Sequence, residues 1–216
     1  MLKGAIFDQD GILFDSEAIY QDCWRKAAIE CGTEVLPGFT ERISGSSGEE
    51  SYRIISEYVP GVEPHSFKEK AIAMAHAVQD EYLPFKPGVP DILEFFKERG
   101  VPMVVASSSR KERVVKNLKK SGIYDYFDNV ISGADIENGK PAPDIFLAAA
   151  ESIGLDAKDC YVFEDSLNGV RAGYAAGCTT VMIPDLIAPT EEIMKKYSAC
   201  CKDFFEVMDE ISAGSL

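Results

Sequence analysis

Two aspartates stand two residues apart where a short apolar run ends. Lys3-Gly4-Ala5-Ile6-Phe7 has the length and character of a buried strand, and it stops abruptly at Asp8-Gln9-Asp10-Gly11. Three uses suit carboxylates in that place: a hairpin turn with Asp10-Gly11 at its tip, a calcium loop, or a pair of groups that hold a cation and carry out acid, base or nucleophilic work. A calcium loop needs oxygen ligands at continuing alternate positions, and Ile12 occupies the next one. The plain turn and the active site are distinguished only by what the rest of the chain brings to the same place.

Three further stretches carry groups that suit such a site. Ser107-Ser108-Ser109 follows the apolar run Val101 to Ala106 and precedes a helical pattern. Hydroxyls and unpaired backbone N–H groups at a helix N-terminus attract an anion. One serine would serve as an ordinary cap, while three in succession favour a phosphate. Lys140 sits in Gly139-Lys140-Pro141-Ala142-Pro143, where two prolines restrict the backbone and hold the lysine in place, although a connector lysine is ordinarily just solvated. Glu164-Asp165-Ser166 closes another apolar strand. One acid there caps a helix, but two adjacent acids call for a cation. Asp8, Asp165 and Glu164 together suit Mg²⁺, which keeps several waters and favours carboxylate and phosphate oxygens, and the serines and Lys140 suit an anion.

These groups must be positioned by strands and helices, and the hydrophobic periods say which. From Ser16 to Cys31 the residues Ile19, Tyr20, Cys23, Trp24, Ala27 and Cys31 recur at helical spacing, with Asp15 or Ser16 as N-cap and Gly32 as the stop. Glu49 to Tyr58 reads as a second helix. Ser66-Phe67-Lys68-Glu69 reads as a capping box opening a third, whose apolar face is Phe67, Ala71, Met74 and Val78. Beyond Pro87-Gly88 the pattern alternates. Helices at 89–99, 110–120, 144–153 and 167–176 are followed by strands at 101–106, 129–132, 160–163 and 178–183, and two short helices are expected to finish the chain. Alternation of this kind implies an α/β fold, a Rossmann-like parallel sheet with helices on both faces, because right-handed crossovers place them there. The domains are then an α/β core of residues 1–15 and 86–216 and an inserted α-helical cap of residues 16–85, expected to act as a lid on the acidic site.

Composition removes several classes. The chain has 216 residues, enough for one good core and a smaller lobe. Acidic residues outnumber basic ones 36 to 22, and the formal charge of −14 repels nucleic acid and anionic membranes. No apolar run reaches the length of a membrane span and no signal peptide precedes the first strand, so a cytoplasmic protein is expected. Six cysteines without C-x-x-C spacing read as reduced thiols, neither metal ligands nor disulfides.

Phe7-Asp8-Gln9-Asp10-Gly11, Ser107, Lys140 in Lys-Pro-Ala-Pro-Asp, and Glu164-Asp165-Ser166-Leu167-Asn168-Gly169 resemble, in order, the four motifs of the haloacid dehalogenase superfamily. The helical insertion after the first motif is similar to the cap of the β-phosphoglucomutase-like branch and its sugar-phosphatase relatives. The resemblance implies that Asp8 is the nucleophile, forming an aspartyl-phosphate, and that Asp10 is the general acid and base. It implies that Ser107 and the backbone N–H of Ser108 bind phosphoryl oxygens, and that Lys140 offsets negative charge. It places Mg²⁺ on Asp8, Asp165 and the Asp10 carbonyl, with Glu164 direct or through water. The second aspartate argues against dehalogenase chemistry.

Phosphatase and mutase share this apparatus. In the mutases that the chain resembles, a cap histidine stands where this sequence has Tyr20, and an arginine that grips the distal phosphate aligns near Gly48. Neither residue is present here, and a phenol titrating near 10 is a poor substitute for an imidazole. The expected activity is therefore Mg²⁺-dependent hydrolysis of a small phosphorylated metabolite, a sugar or polyol phosphate. A phosphosugar mutase is the alternative, and an inactive binding domain of the same fold is a third. The helix bearing Tyr20 and Trp24 and the loop from Gly45 to Glu50 are expected to face the leaving group. A monomer is expected for a chain of this size.

Overall fold

The computed structural model describes residues 3–44, 46 and 48–216. Six strands among them form one parallel sheet: β1 (Gly4–Phe7), β2 (Met103–Ser107), β3 (Asn129–Ser132), β4 (Cys160–Glu164), β5 (Thr179–Met182) and β6 (Ala199–Cys200). Their order is β3-β2-β1-β4-β5-β6, with every adjacent pair parallel. The strand order reverses at β1, whose neighbours are β2 and β4. This is the topological switch point, where loops from both directions part and leave a crevice at the carboxyl ends.

The three central strands are buried along their whole length, as a sheet covered on both faces requires. Their side chains alternate between two cores. Ile6, Val104, Ala106 and Val162 join Ile145, Phe146, Ala149 and Ala150 of helix α7 (Asp144–Ser152). Phe7, Tyr161 and Phe163 point the other way into an aromatic cluster. Phe7 lies 4.9 Å from Phe163, 6.2 Å from Phe96 of helix α5 (Val89–Glu98) and 5.8 Å from Phe204 of helix α9 (Phe204–Ala213), measured between ring centroids. Rings meeting at these separations contribute about 0.5–1.5 kcal/mol per pair beyond their burial.

The expected elements recur with ends displaced by a residue or two. The carboxyl end of the chain differs more. Its two helical segments are a 3₁₀ turn (Ile193–Lys195) and α9, and between them lies the unexpected two-residue strand β6. A strand of two residues carries no period, so only its pairing with β5 defines it.

The chain divides into two compact units, Met1–Phe14 with Phe85–Leu216, and Asp15–Pro84. Within the first, Phe14 pairs antiparallel with Phe85, and their rings stack at 5.6 Å, so the chain leaves and re-enters this unit side by side. The second unit consists of α1 (Glu17–Glu30), α2 (Phe39–Ile43), α3 (Gly48–Tyr58) and α4 (Pro64–Glu81), an N-terminal helical region of the kind that serves as a cap. Its core is Trp24, Ala27, Ala28, Phe39, Ile43, Ile54, Ile55, Val59, Phe67 and Ala71. Helix α2 is too short to be read from its period; it forms because Phe39 and Ile43, one turn apart, both drop into that core.

Helix α4 corrects the capping-box reading. It begins at Pro64, and Glu63 is the cap, its carboxylate accepting from the backbone N–H groups of His65 at 3.0 Å and Ser66 at 2.8 Å. A proline at the first helical position, whose missing N–H costs nothing there, fixes the earlier start. Its buried face is Phe67, Ala71, Ala75 and Gln79; Met74 is half-buried and Val78 exposed. At Ser16, the N-cap of α1, the side chain makes no capping bond. All six cysteines are free thiols. Burial pushes Cys160 up to about 11 and Cys178 up to about 12, which keeps both protonated. Among the described residues no helix is long and apolar enough to cross a membrane.

Candidate active site

Asp8 follows β1 directly, Ser107 ends β2 and Glu164 ends β4, so three adjacent strands deliver their polar groups to one sheet edge. The parallel pairing fixes their levels. Phe7 lies opposite Val105 and Phe163, which sets Asp8 level with Ala106 and Glu164. The pairing extends one residue beyond β1, since the Asp8 N–H donates to the Phe163 carbonyl at 3.1 Å. The nucleophile candidate is thereby held by sheet hydrogen bonding, not by a loose loop.

Lys140 enters from the connector after β3 and places its ammonium between the two acids. Nζ donates to Asp8 Oδ1 at 2.5 Å, to Glu164 Oε1 at 2.6 Å and to the Ala106 carbonyl at 3.3 Å. All three donors of the ammonium are used, and the side chain is only 5% exposed. The peptide bond from Lys140 to Pro141 is cis. Two carboxylates and one ammonium leave this buried cluster one negative charge in excess. Burial pushes Asp8 up to about 7, and Glu164 adds to the rise against the opposing pull of Lys140. For Lys140, burial acts to neutralise the amine, but the attraction of Asp8 and Glu164 outweighs it and holds the ammonium above its ordinary range.

Glu164, 1% exposed, is fully engaged. Its Oε2 accepts from the Ser166 backbone N–H at 3.1 Å and the Ser166 hydroxyl at 3.0 Å. Ser166 in turn caps α8 (Leu167–Ala176), accepting from the Gly169 N–H at 3.0 Å. A Cβ on Gly169 would fall on the Glu164 carboxylate, so the absence of a side chain there lets the acid lie against the helix. Asp165 is half-buried, and its carboxylate packs against Gly11, at whose positive φ of 78° a side chain would be both strained and in collision with it. The fourth motif is thus brought back against the first.

Asp10 is half-buried, and its Oδ2 accepts from the Ser109 hydroxyl at 3.2 Å and from Gln9 Nε2 at 3.3 Å. The serine loop differs from the expected helix terminus. Helix α6 (Lys111–Lys120) starts four residues after Ser107, with extended Arg110 as its N-cap, so none of the three serines caps it. The Ser107 hydroxyl instead accepts from the Ser109 N–H at 3.1 Å, a local turn that fixes the oxygen and leaves its hydrogen to donate to an anion. Ser108 is exposed.

Two residues that periodicity does not single out hold this loop. The fully buried Ser132 donates to the Ser109 carbonyl at 2.8 Å, and Gly133 packs so closely that a Cβ would come within 3.0 Å of Ser108 Cα. Gln9 is the third residue that sequence reasoning passed over. The signals were a serine and glycine at the end of β3, and a polar side chain between two aspartates where an apolar one would be expected.

The helical unit holds the remaining candidates. Tyr20 packs against its core and Trp24 is buried within it, 5.7 Å from both Phe39 and Phe67 between ring centroids. Trp24 therefore stabilises that unit from within its core. Gly45 lies outside the described residues; Gly48 opens α3.

The donor set fits a hard divalent cation. Among the described residues no three His, Cys, Asp or Glu side chains gather as a complete set of ligands. Mg²⁺ does not require one, since it takes one or two carboxylates and fills its shell with water and phosphate oxygens. The excess negative charge around Asp8, and Asp165 packed against Gly11 of the first motif, provide what such an ion needs.

The chain resembles known proteins over most of its length. Residues 5–183 match the haloacid dehalogenase-like hydrolase family. A phosphorylated carbohydrates phosphatase from Thermotoga maritima is 31% identical over 177 residues, 82% of this chain and 82% of its own length. A fructose-1-phosphate phosphatase from Escherichia coli is 30% identical over 183 residues, 82% of this chain and 94% of its own. The crystal structure of a β-phosphoglucomutase from Clostridium difficile superposes with a TM-score of 0.79 at 26% identity, covering 97% of this chain and 96% of that one.

Proposed function

The chain belongs to the haloacid dehalogenase-like hydrolase family, and from that premise we propose that it hydrolyses the phosphomonoester of a small sugar or polyol through an aspartyl-phosphate on Asp8. The observation that carries the reading is the seating of Asp8. It is fixed by a sheet hydrogen bond and held on one oxygen by Lys140, with the second carboxylate, Asp10, two residues away at the same strand end. The resemblance of the T. maritima and E. coli phosphatases supports a phosphorylated carbohydrate as substrate.

In this reading Asp8 attacks phosphorus in line. Lys140 offsets charge on Asp8 and on the phosphoryl oxygens, and the Ser107 hydroxyl and Ser108 N–H donate to those oxygens. Asp10 protonates the leaving oxygen, then takes the proton of the water that cleaves the intermediate. Asp8, Asp165 and the Asp10 carbonyl would hold Mg²⁺, with Glu164 acting through water and charge because both its oxygens are engaged by Lys140 and Ser166. Bound there, the cation would draw the two anions together and lower the repulsion between them. Residues 15–84 would serve as the cap that closes over the substrate.

A β-phosphoglucomutase-type transfer is the second reading, favoured by the likeness to the C. difficile enzyme. A tyrosine, Tyr20, standing where those mutases carry a cap histidine favours hydrolysis. Phosphate release from a panel of sugar and polyol phosphates with Mg²⁺, alongside isomerisation of β-glucose 1-phosphate with bisphosphate present, separates the two. Phosphate release that vanishes in Asp8→Asn without isomer conversion supports the phosphatase. Isomer conversion with little release overturns it in favour of the mutase.

A further inference from the structure

We propose that Gln9 and Ser109 form a two-donor clamp that orients Asp10 for proton transfer to the leaving group. The inference rests on the reading of Asp10 as the proton donor and names the residues that position it. The Gln9 amide and the Ser109 hydroxyl both donate to the same oxygen, Asp10 Oδ2, at 3.3 Å and 3.2 Å. Two contacts on Oδ2 fix the plane of the carboxyl group and hold the side chain in one rotamer.

Gln9 retains its amide against its own packing interest. The side chain is 1% exposed, and Oε1 is buried without a hydrogen-bond partner among the described residues. Reversing the amide would set Oε1 against the carboxylate, acceptor on acceptor, so the observed orientation is the one chemistry allows. A leucine of similar volume would fill the space and leave no unpaired acceptor. The evident return for keeping glutamine is the bond to Asp10, and a local conflict of this kind is expected at a functional site.

Ser109 is as firmly held. Its carbonyl accepts from Ser132 and its N–H is bound by Ser107, so one short loop ties Asp10 to the ends of both β2 and β3. In the step this arrangement serves, the bond from Asp8 to phosphorus forms as the bond from phosphorus to the alkoxide breaks. The Asp10 proton passes to the departing oxygen, giving a neutral alcohol and an Asp10 carboxylate.

The test compares leaving groups. p-Nitrophenol leaves as a stabilised anion and needs little help from an acid, whereas an alkyl alcohol needs a proton as it departs. Because kcat/KM reports the steps through the first irreversible one, it isolates formation of the phosphoenzyme from its hydrolysis. Ser109→Ala and Gln9→Leu should each lower kcat/KM for a sugar or glycerol phosphate by about 10- to 100-fold, and for p-nitrophenyl phosphate by no more than about threefold. Gln9→Leu should also keep or raise the melting temperature. Equal losses on both esters, or no loss on the alkyl ester, in an active background overturn the clamp alone. A wild type that hydrolyses neither ester overturns the phosphatase reading and the clamp with it.

Discussion

Replacing Asp8 by asparagine removes one negative charge from a buried cluster that holds two carboxylates and a single ammonium. Asparagine keeps an acceptor for Lys140, and Lys140 then balances Glu164 one to one. The interval between the ordinary carboxylate value of 3.8 and about 7 sets the size of the effect. At 25 °C it corresponds to a ceiling of about 4 kcal/mol by which ionised Asp8 opposes folding in the metal-free protein. The sign follows from proton binding. Between those two values the folded protein binds more protons than the unfolded chain, so wild-type stability falls as pH rises through the window and levels off above about 7. Asp8→Asn should therefore be the more stable protein at pH 8, by about 2–4 kcal/mol, or roughly 5–15 °C in melting temperature for a chain of this length. Most of that difference should disappear at pH 4.5. Thermal melts of both proteins in EDTA at the two pH values make the test, and adding Mg²⁺ to the wild type should narrow the gap at pH 8. An asparagine variant that melts below wild type at pH 8, or a gap of equal size at pH 4.5, would refute the electrostatic account of the cluster.

Other expectations follow from single contacts. Lys140→Met leaves Asp8 and Glu164 buried without their cation and should cost about 3–5 kcal/mol in urea unfolding at pH 8, along with all turnover. Gly169→Ala forces a methyl group onto the Glu164 carboxylate and should cost about 1–3 kcal/mol in the same assay, while activity falls because Glu164 sets the position of Lys140. Glu63→Ala should lower the melting temperature and Ser66→Ala leave it nearly unchanged, the reverse of what a capping box at Ser66 requires. Phosphate release should stop in EDTA and return with Mg²⁺; undiminished release in EDTA would remove the metal from the mechanism.

The alternation of apolar runs with helical periods determines the α/β class and the parallel sheet of this protein before any coordinate is known. A buried parallel strand is legible as an uninterrupted apolar run, and its abrupt end marks the sheet edge where Asp8, Ser107 and Glu164 stand. Residue types at those ends likewise named Lys140 and Asp165, because acids, hydroxyls and a fixed lysine have few reasons to follow buried strands. Features without a period escaped: the five-residue α2, the two-residue β6 and the true start of α4 at Pro64. Helical spacing places Trp24 on an apolar face, and only the packing shows that this face meets the unit's own core.

What only the tertiary structure decides is which groups meet across long stretches of chain. Lys140 reaches Asp8 over 132 residues of separation and Ser109 reaches Asp10 over 99. Sequence spacing cannot show that one ammonium serves two carboxylates, that Glu164 is already satisfied by Ser166, or that Gly11 and Gly169 are bare because acids lie against them. The sequence supplies local propensity and the chemical inventory. The surplus negative charge at Asp8 and the orientation of Asp10 arise only when the sheet brings those groups within hydrogen-bonding distance and removes the water between them.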